Sequence, residues 1–157
     1  MKNYLIIGGS SGIGEAIVKQ LSKEGHQVFA TFNQHPAQNS DTITYYHLDV
    51  MQESYDLSFV PDTIDGIAYC VGNISLKPFS RFTADDFIKD YQLQLLGAVK
   101  IIQQLLPNIK KAEAASIVLF STVAVQTGFN FHTLISSSKG AVEGLTKALA
   151  AELAPRI

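Results

Sequence analysis

Seven residues near the N-terminus, Gly8-Gly9-Ser10-Ser11-Gly12-Ile13-Gly14, carry the clearest chemical signal in this chain. They follow a short apolar run, Tyr4-Leu5-Ile6-Ile7, and lead into Ile13, Ala16, Ile17 and Leu21, spaced for one face of a helix. A strand, a glycine loop and a helix in that order suit the pyrophosphate of a dinucleotide. Gly8 permits a tight exit from the strand. Gly12 leaves no Cβ where phosphates must approach the backbone, and Gly14 lets the helix pack closely on the sheet. The free N–H groups of the helix's first turn then face the anion, and Ser10 and Ser11 can add hydroxyl donors. A glycine-rich turn without a ligand is the plainer alternative; the strand-loop-helix setting speaks against it.

A loop of this kind needs a sheet to hold it. Val28 to Phe32 reads as a second strand, Ile43 to Leu48 as a third, Gly66 to Val71 as a fourth and Ser116 to Ser121 as a fifth, all short and rich in β-formers. Thr83-Ala84-Asp85-Asp86 has the pattern of a helix N-cap with acids in the first turn, opening a long helix that runs through Gly97 towards Pro107. A final Ala-rich helix covers about Ser136 to Leu153 and stops before Pro155. Strands alternating with helices predict a doubly wound parallel sheet with helices on both faces, a Rossmann-type three-layer α/β/α fold of strand order 3-2-1-4-5.

Composition sets the bounds. The 157 residues, 46% hydrophobic and 17% charged, suffice for one domain with a sizeable core. A net charge of -2 lacks the basic footprint of a nucleic-acid binder, so no such partner is expected. The N-terminal apolar run is too short for a signal peptide or a membrane span, and the single cysteine, Cys70, cannot form an internal disulfide. A cytoplasmic protein without a membrane anchor or a metal site is the expectation.

With these motifs in place, the chain resembles the short-chain dehydrogenase/reductase family. The family loop is Gly-x-x-x-Gly-x-Gly, usually preceded by Thr where this chain has Ile7. His47-Leu48-Asp49-Val50 is similar to the family's Leu-Asp-Val after the third strand, which implies that Asp49 accepts a hydrogen bond from the adenine amino group. Asp65 to Gly72 is similar to the family's fourth strand ending in Asn-Asn-Ala-Gly, with only Gly72 of those four residues kept. Ser138 to Thr146 closely matches the helix after the active-site loop. The resemblance spans the whole chain and implies an NADP- or NAD-dependent oxidoreductase that passes hydride between nicotinamide and a small carbonyl or alcohol substrate. At the end of the second strand, Thr31, Phe32 and Asn33 include no acid to repel a 2′-phosphate, so NADP is slightly preferred.

The family's catalytic Ser, Tyr and Lys fall on Thr122, Ile135 and Lys139, and the Asn of its long helix falls on Gln94. Lys139 is kept and, by the resemblance, bonds the nicotinamide ribose. Thr122 keeps a hydroxyl that can donate to a carbonyl, although a β-branched residue ending a strand explains it equally well. Ile135 can neither give nor take a proton. His132, three residues earlier, is a candidate substitute if the helix begins early enough to put both on one face; a solvated loop histidine is the plainer reading. The active site is therefore expected to be atypical or impaired, the alternative being an inactive dinucleotide-binding sensor or structural subunit. Residues 1–157 are expected to form a single NAD(P)-binding domain without the family's C-terminal strands and substrate-binding segment. Self-association through the two long helices, as the resemblance implies, is expected as well.

Overall fold

A computed structural model describes all residues from Met1 to Ile157. Five parallel strands, β1 (Asn3–Ile7), β2 (Gln27–Phe32), β3 (Ile43–His47), β4 (Gly66–Tyr69) and β5 (Ser116–Leu119), stand in the order β3-β2-β1-β4-β5. The expected doubly wound fold is the observed one. The helices are α1 (Gly12–Lys23), α2 (Ala84–Tyr91), α3 (Gly97–Ile109), α4 (Ala124–Thr127) and α5 (Thr133–Leu153).

From Leu5 to Ile7, β1 is apolar and buried because it lies at the centre of the sheet with both faces covered. Its alternation divides the core. Leu5 and Ile7 point to the side packed by Ile101, Leu105 and Ile109 of α3, whereas Ile6 joins Val18 of α1 with Val28 and Ala30 of β2 on the other side. Each fully buried Leu, Ile or Val contributes about 1.5–3 kcal/mol relative to exposure. The two sides together lock β1 in register, and with it the glycine loop at its carboxyl end. β5 pairs with β4 alone, and Val118 on it is 44% exposed.

Several boundaries differ from those expected. The fourth and fifth strands stop two residues earlier, at Tyr69 and Leu119, where the chain turns outward along the rim of the cleft. The long helix is three pieces. After α2, whose Thr83 cap and Asp86 form a reciprocal capping box, a π-helical turn spans Gln92–Leu96 before α3 resumes at Gly97. Pro107 does not end α3: although its ring removes one helix hydrogen bond, the fully buried Ile109 holds the last turn against the sheet. α5 starts three residues earlier than expected, at Thr133.

Candidate functional site

The carboxyl ends of β1, β2 and β4 frame a cleft of about 910 Å³, open to solvent. Parallel strands place their loops on one edge, and the chain crosses from β3 to β4 beside β1, so the crevice falls at the topological switch point.

The glycine loop forms one wall. Its shape is enforced by Thr31, which is buried at the end of β2: the Gly8 N–H donates to Thr31 Oγ1 at 3.0 Å and the Gly9 N–H to the Thr31 carbonyl at 2.8 Å. Gly14 is required by packing. A Cβ there would lie 2.1 Å from the Gly8 carbonyl oxygen, so any side chain would drive α1 off the loop. Gly12, at φ +54°, has open space in front of it. The amides of Gly12, Ile13 and Gly14 bond to no atom of the chain, and the Ser11 hydroxyl, although at the N-cap position, makes no capping bond. Three free N–H groups, two serine hydroxyls and an open approach at Gly12 fit the pyrophosphate of a dinucleotide.

The far wall comes from β2 and β3. Phe32, Asn33 and His35 line the cleft at the end of β2, Phe32 with its ring edge-on to His47 at 5.6 Å. Asp49 and Val50 follow β3. The Asp49 carboxylate accepts from the Met51 amide at 2.9 Å and from Gln52 Nε2 at 3.3 Å, which fixes its rotamer and leaves acceptor capacity on both oxygens. Val50 is buried and forms an apolar floor. No carboxylate stands among Thr31 to His35.

The floor continues along β4 to Gly72 and opens into a second recess that shares Cys70 to Asn73 with the first and also holds Gln94, Ser121 and Lys139. The π-helical turn aims Gln94 into this recess. Tyr69 anchors that turn by donating its hydroxyl to the Leu93 carbonyl at 2.7 Å, and burial raises its phenol well above the usual range. Glycine is required at 97, where a Cβ would lie 2.3 Å from the Tyr69 oxygen. Gln94, fully buried, donates Nε2 to the Asn73 carbonyl at 2.8 Å, and a Cβ on Gly72 would touch its Oε1 at 2.8 Å. Burial lifts the Cys70 thiol to about 11, so it stands in the cleft as a neutral group. Lys139 is half-buried on α5. Desolvation pulls its ammonium below the ordinary lysine range, and the charge of Asp90 opposes that shift.

The proposed catalytic residues do not all meet. Ser121, not Thr122, lines the recess beside Lys139, and its hydroxyl donates to Glu143 Oε1 at 2.6 Å. Thr122 turns its Oγ1 to the Ala124 amide at 3.3 Å, just ahead of α4. His132 is the residue before α5, not part of it. Its Nδ1 lies 2.8 Å from the Asn130 carbonyl, its ring packs edge-on against Phe129, and it is not among the residues that line the recess. Ile135 is buried within α5. Sequence reasoning gave no role to Asp90, which is 6% exposed on α2. Its neighbours at helical spacing, Asp86, Phe87, Leu93 and Gln94, are mixed in polarity, so the sequence carries no signal that singles it out.

Comparison with known proteins agrees with this geometry. The family model described as short chain dehydrogenase matches residues 2–157. A 3-ketodihydrosphingosine reductase of Bacteroides thetaiotaomicron is 27% identical, over 96% of this chain and 58% of that protein. An L-rhamnose 1-dehydrogenase (NADP(+)) of Thermoplasma acidophilum is 26% identical, over 95% of this chain and 65% of that protein. Among solved structures, a short chain dehydrogenase family protein from Francisella tularensis superposes with a TM-score of 0.87 at 27% identity, covering 98% of this chain and 64% of its own. The chain thus spans about three-fifths of the length of these relatives.

Proposed function

Because the chain belongs to the short chain dehydrogenase family, we propose that it binds NADP or NAD across the cleft and serves an oxidoreductase acting on a small carbonyl or alcohol substrate. The observation that carries this reading is the trio of free amides at Gly12, Ile13 and Gly14 on the same strand edge as a half-buried Lys139. Bound nicotinamide supplies the hydride chemistry. The chain's own residues bind and orient: Gly8, Ser10, Ser11 and the first turn of α1 hold the pyrophosphate, Asp49 and Val50 border the adenine, Phe32 and Asn33 border its ribose, and Gly72 leaves room along β4. Lys139 holds a proton at Nζ beside the second recess.

The absence of an acid among Thr31 to His35 favours NADP. The relative whose name specifies NADP(+) accords with that preference. Ile135 supports altered proton transfer, since Lys139 keeps its place while the residue four positions earlier carries no ionisable group. That same residue favours a second reading, a dinucleotide-binding sensor or structural subunit without chemistry. Titration of the protein with NADPH and NADH, followed by nicotinamide fluorescence, tests binding, and a screen of carbonyl substrates separates the two readings. Binding of neither nucleotide at millimolar concentration would defeat both.

Self-association through α2–α3 and α5 is part of the proposal. Gly144 is exposed on α5, and a Cβ there would meet nothing within 4 Å, so this position does not face the sheet. Gly144→Arg is expected to leave folding and nucleotide binding intact while reducing the sedimentation coefficient. A monomeric wild type would end this part of the reading.

A further inference from the structure

Three polar groups at the junction of α2, the π-helical turn and α5 have unmet electrostatic needs. Asp90 is 94% buried on α2, with Oδ2 lacking any hydrogen-bond partner and Oδ1 reached only by Gln94 Nε2, at 3.4 Å. Gln94, one turn later, is fully buried and has an unpartnered Oε1. Lys139 of α5 lines the same recess as Gln94, and its Nζ makes no hydrogen bond or ion pair. α5 packs on both α2 and the π-helical turn.

Neighbouring charges are already committed elsewhere. On α2, Lys89 pairs with Asp85 at 2.6 Å, and Asp86 is taken by Lys77 at 3.2 Å and by the Thr83 cap. On α5, Glu143 accepts from Ser121. Tyr69 at the end of β4 and Cys70 just after it line the recess as neutral groups held protonated by burial. Asp90 and Lys139 are each without an ion-pair partner, and the charge of Asp90 opposes the desolvation of Lys139.

We propose that Asp90 is a positioning residue for Lys139: its buried carboxylate, oriented by Gln94, serves as the counter-charge that keeps the lysine protonated and turned into the recess. This deepens the oxidoreductase reading and rests on it for its functional meaning. A buried carboxylate without a cation is costly, and so is a buried ammonium without an anion, so each keeps the other charged. The pairing matters more here than where a phenol stands four residues before the lysine. With Ile135 in that place, the Lys139 ammonium is the charged proton donor that lines the recess. Losing its counter-charge would leave desolvation unopposed and lower the proton affinity of the ammonium further.

The test is direct titration of Lys139 in the intact chain, with ¹³C-labelled lysine followed by NMR and the Lys139 resonance assigned through Lys139→Arg. Asp90→Asn preserves shape and removes the charge; the midpoint of Lys139 is expected to fall, with proton affinity lowered about tenfold or more. Asp90→Glu should restore most of the wild-type midpoint. An unchanged midpoint in folded Asp90→Asn overturns the proposal. If Asp90→Asn does not fold, Lys139→Met decides: leaving the buried carboxylate without a cation should lower urea stability, and adding Asp90→Asn to Lys139→Met should recover most of that loss. No recovery in the double variant overturns the pairing. NADPH titration of the same variants keeps the two readings apart. A shifted lysine in a protein that binds no nucleotide supports the pairing and defeats the oxidoreductase; normal nucleotide binding with an unshifted lysine does the reverse.

Discussion

Gly12→Ala separates binding from folding. Gly12 has φ +54°, and a Cβ there would meet no atom within 4 Å. Alanine therefore clashes with nothing in the protein, and its cost is the left-handed backbone, about 1–2 kcal/mol. Reduced freedom of the unfolded chain returns about 0.4–1 kcal/mol, so the net loss is about 1 kcal/mol, small against the ~5–15 kcal/mol of a typical domain. The new methyl group nevertheless occupies the space through which a pyrophosphate reaches the free amides of α1. NADPH affinity is expected to fall at least about tenfold, equivalent to ~1.4 kcal/mol. Gly14→Ala is the contrast. Its Cβ would stand 2.1 Å from the Gly8 carbonyl oxygen and 3.1 Å from Gly9 Cα, backbone atoms that can move only by separating α1 from the sheet. A loss of about 3 kcal/mol or more follows, at or beyond the upper end for overpacking. Urea unfolding followed by circular dichroism, alongside NADPH fluorescence titration, measures both. Wild-type affinity in Gly12→Ala would refute the placement of the phosphates, and wild-type stability in Gly14→Ala would refute the packing of the loop.

Gly97→Ala should destabilise the wild type despite alanine's advantage of about 1 kcal/mol in helices, because its methyl group meets the Tyr69 oxygen at 2.3 Å; in a Tyr69→Phe background the same change should cost less, and equal costs in a double-mutant cycle would contradict the contact. Ile135→Tyr is expected to cost about 1–3 kcal/mol from overpacking a buried position, and to raise carbonyl reduction about 100-fold or more if only a proton donor is missing; unchanged turnover of a substrate that the wild type reduces would show that another group already serves. With its thiol near 11, Cys70 is about one part in a thousand thiolate at pH 8. Alkylation by iodoacetamide should therefore accelerate about tenfold per pH unit up to pH 10 and slow when NADPH fills the cleft that Cys70 lines; a pH-independent rate would contradict a buried, neutral thiol.

Much of this molecule is legible in one dimension because its signals are local. The apolar run Leu5 to Ile7, the glycine loop that follows it and the Thr83–Asp86 cap each depend on neighbours within a turn or a strand. Such patterns prescribe parallel strands joined by helices, hence the sheet order and the edge on which the glycine loop lies. The need for glycine at 14 also follows from close helix-strand packing. Contacts between elements distant in sequence leave no such trace. Thr31 shapes the loop from 23 residues away through the Gly8 amide, and Tyr69 anchors the π-helical turn 24 residues later. His132 was a candidate only so long as the start of α5 was free to move. The helix begins one residue after it, and the ring turns to Asn130 and Phe129. Ser121 and Thr122 differ by one position, and which of them reaches the recess depends on where β5 releases the chain, at Leu119. Asp90, an unremarkable acid on an amphipathic helix, becomes a buried charge only when α5 packs over α2 and brings Lys139 near it. Periodicity and glycine spacing determine the scaffold because they act through the backbone. Which side chains share the site is decided by packing, since burial and charge pairing exist only after distant elements have met.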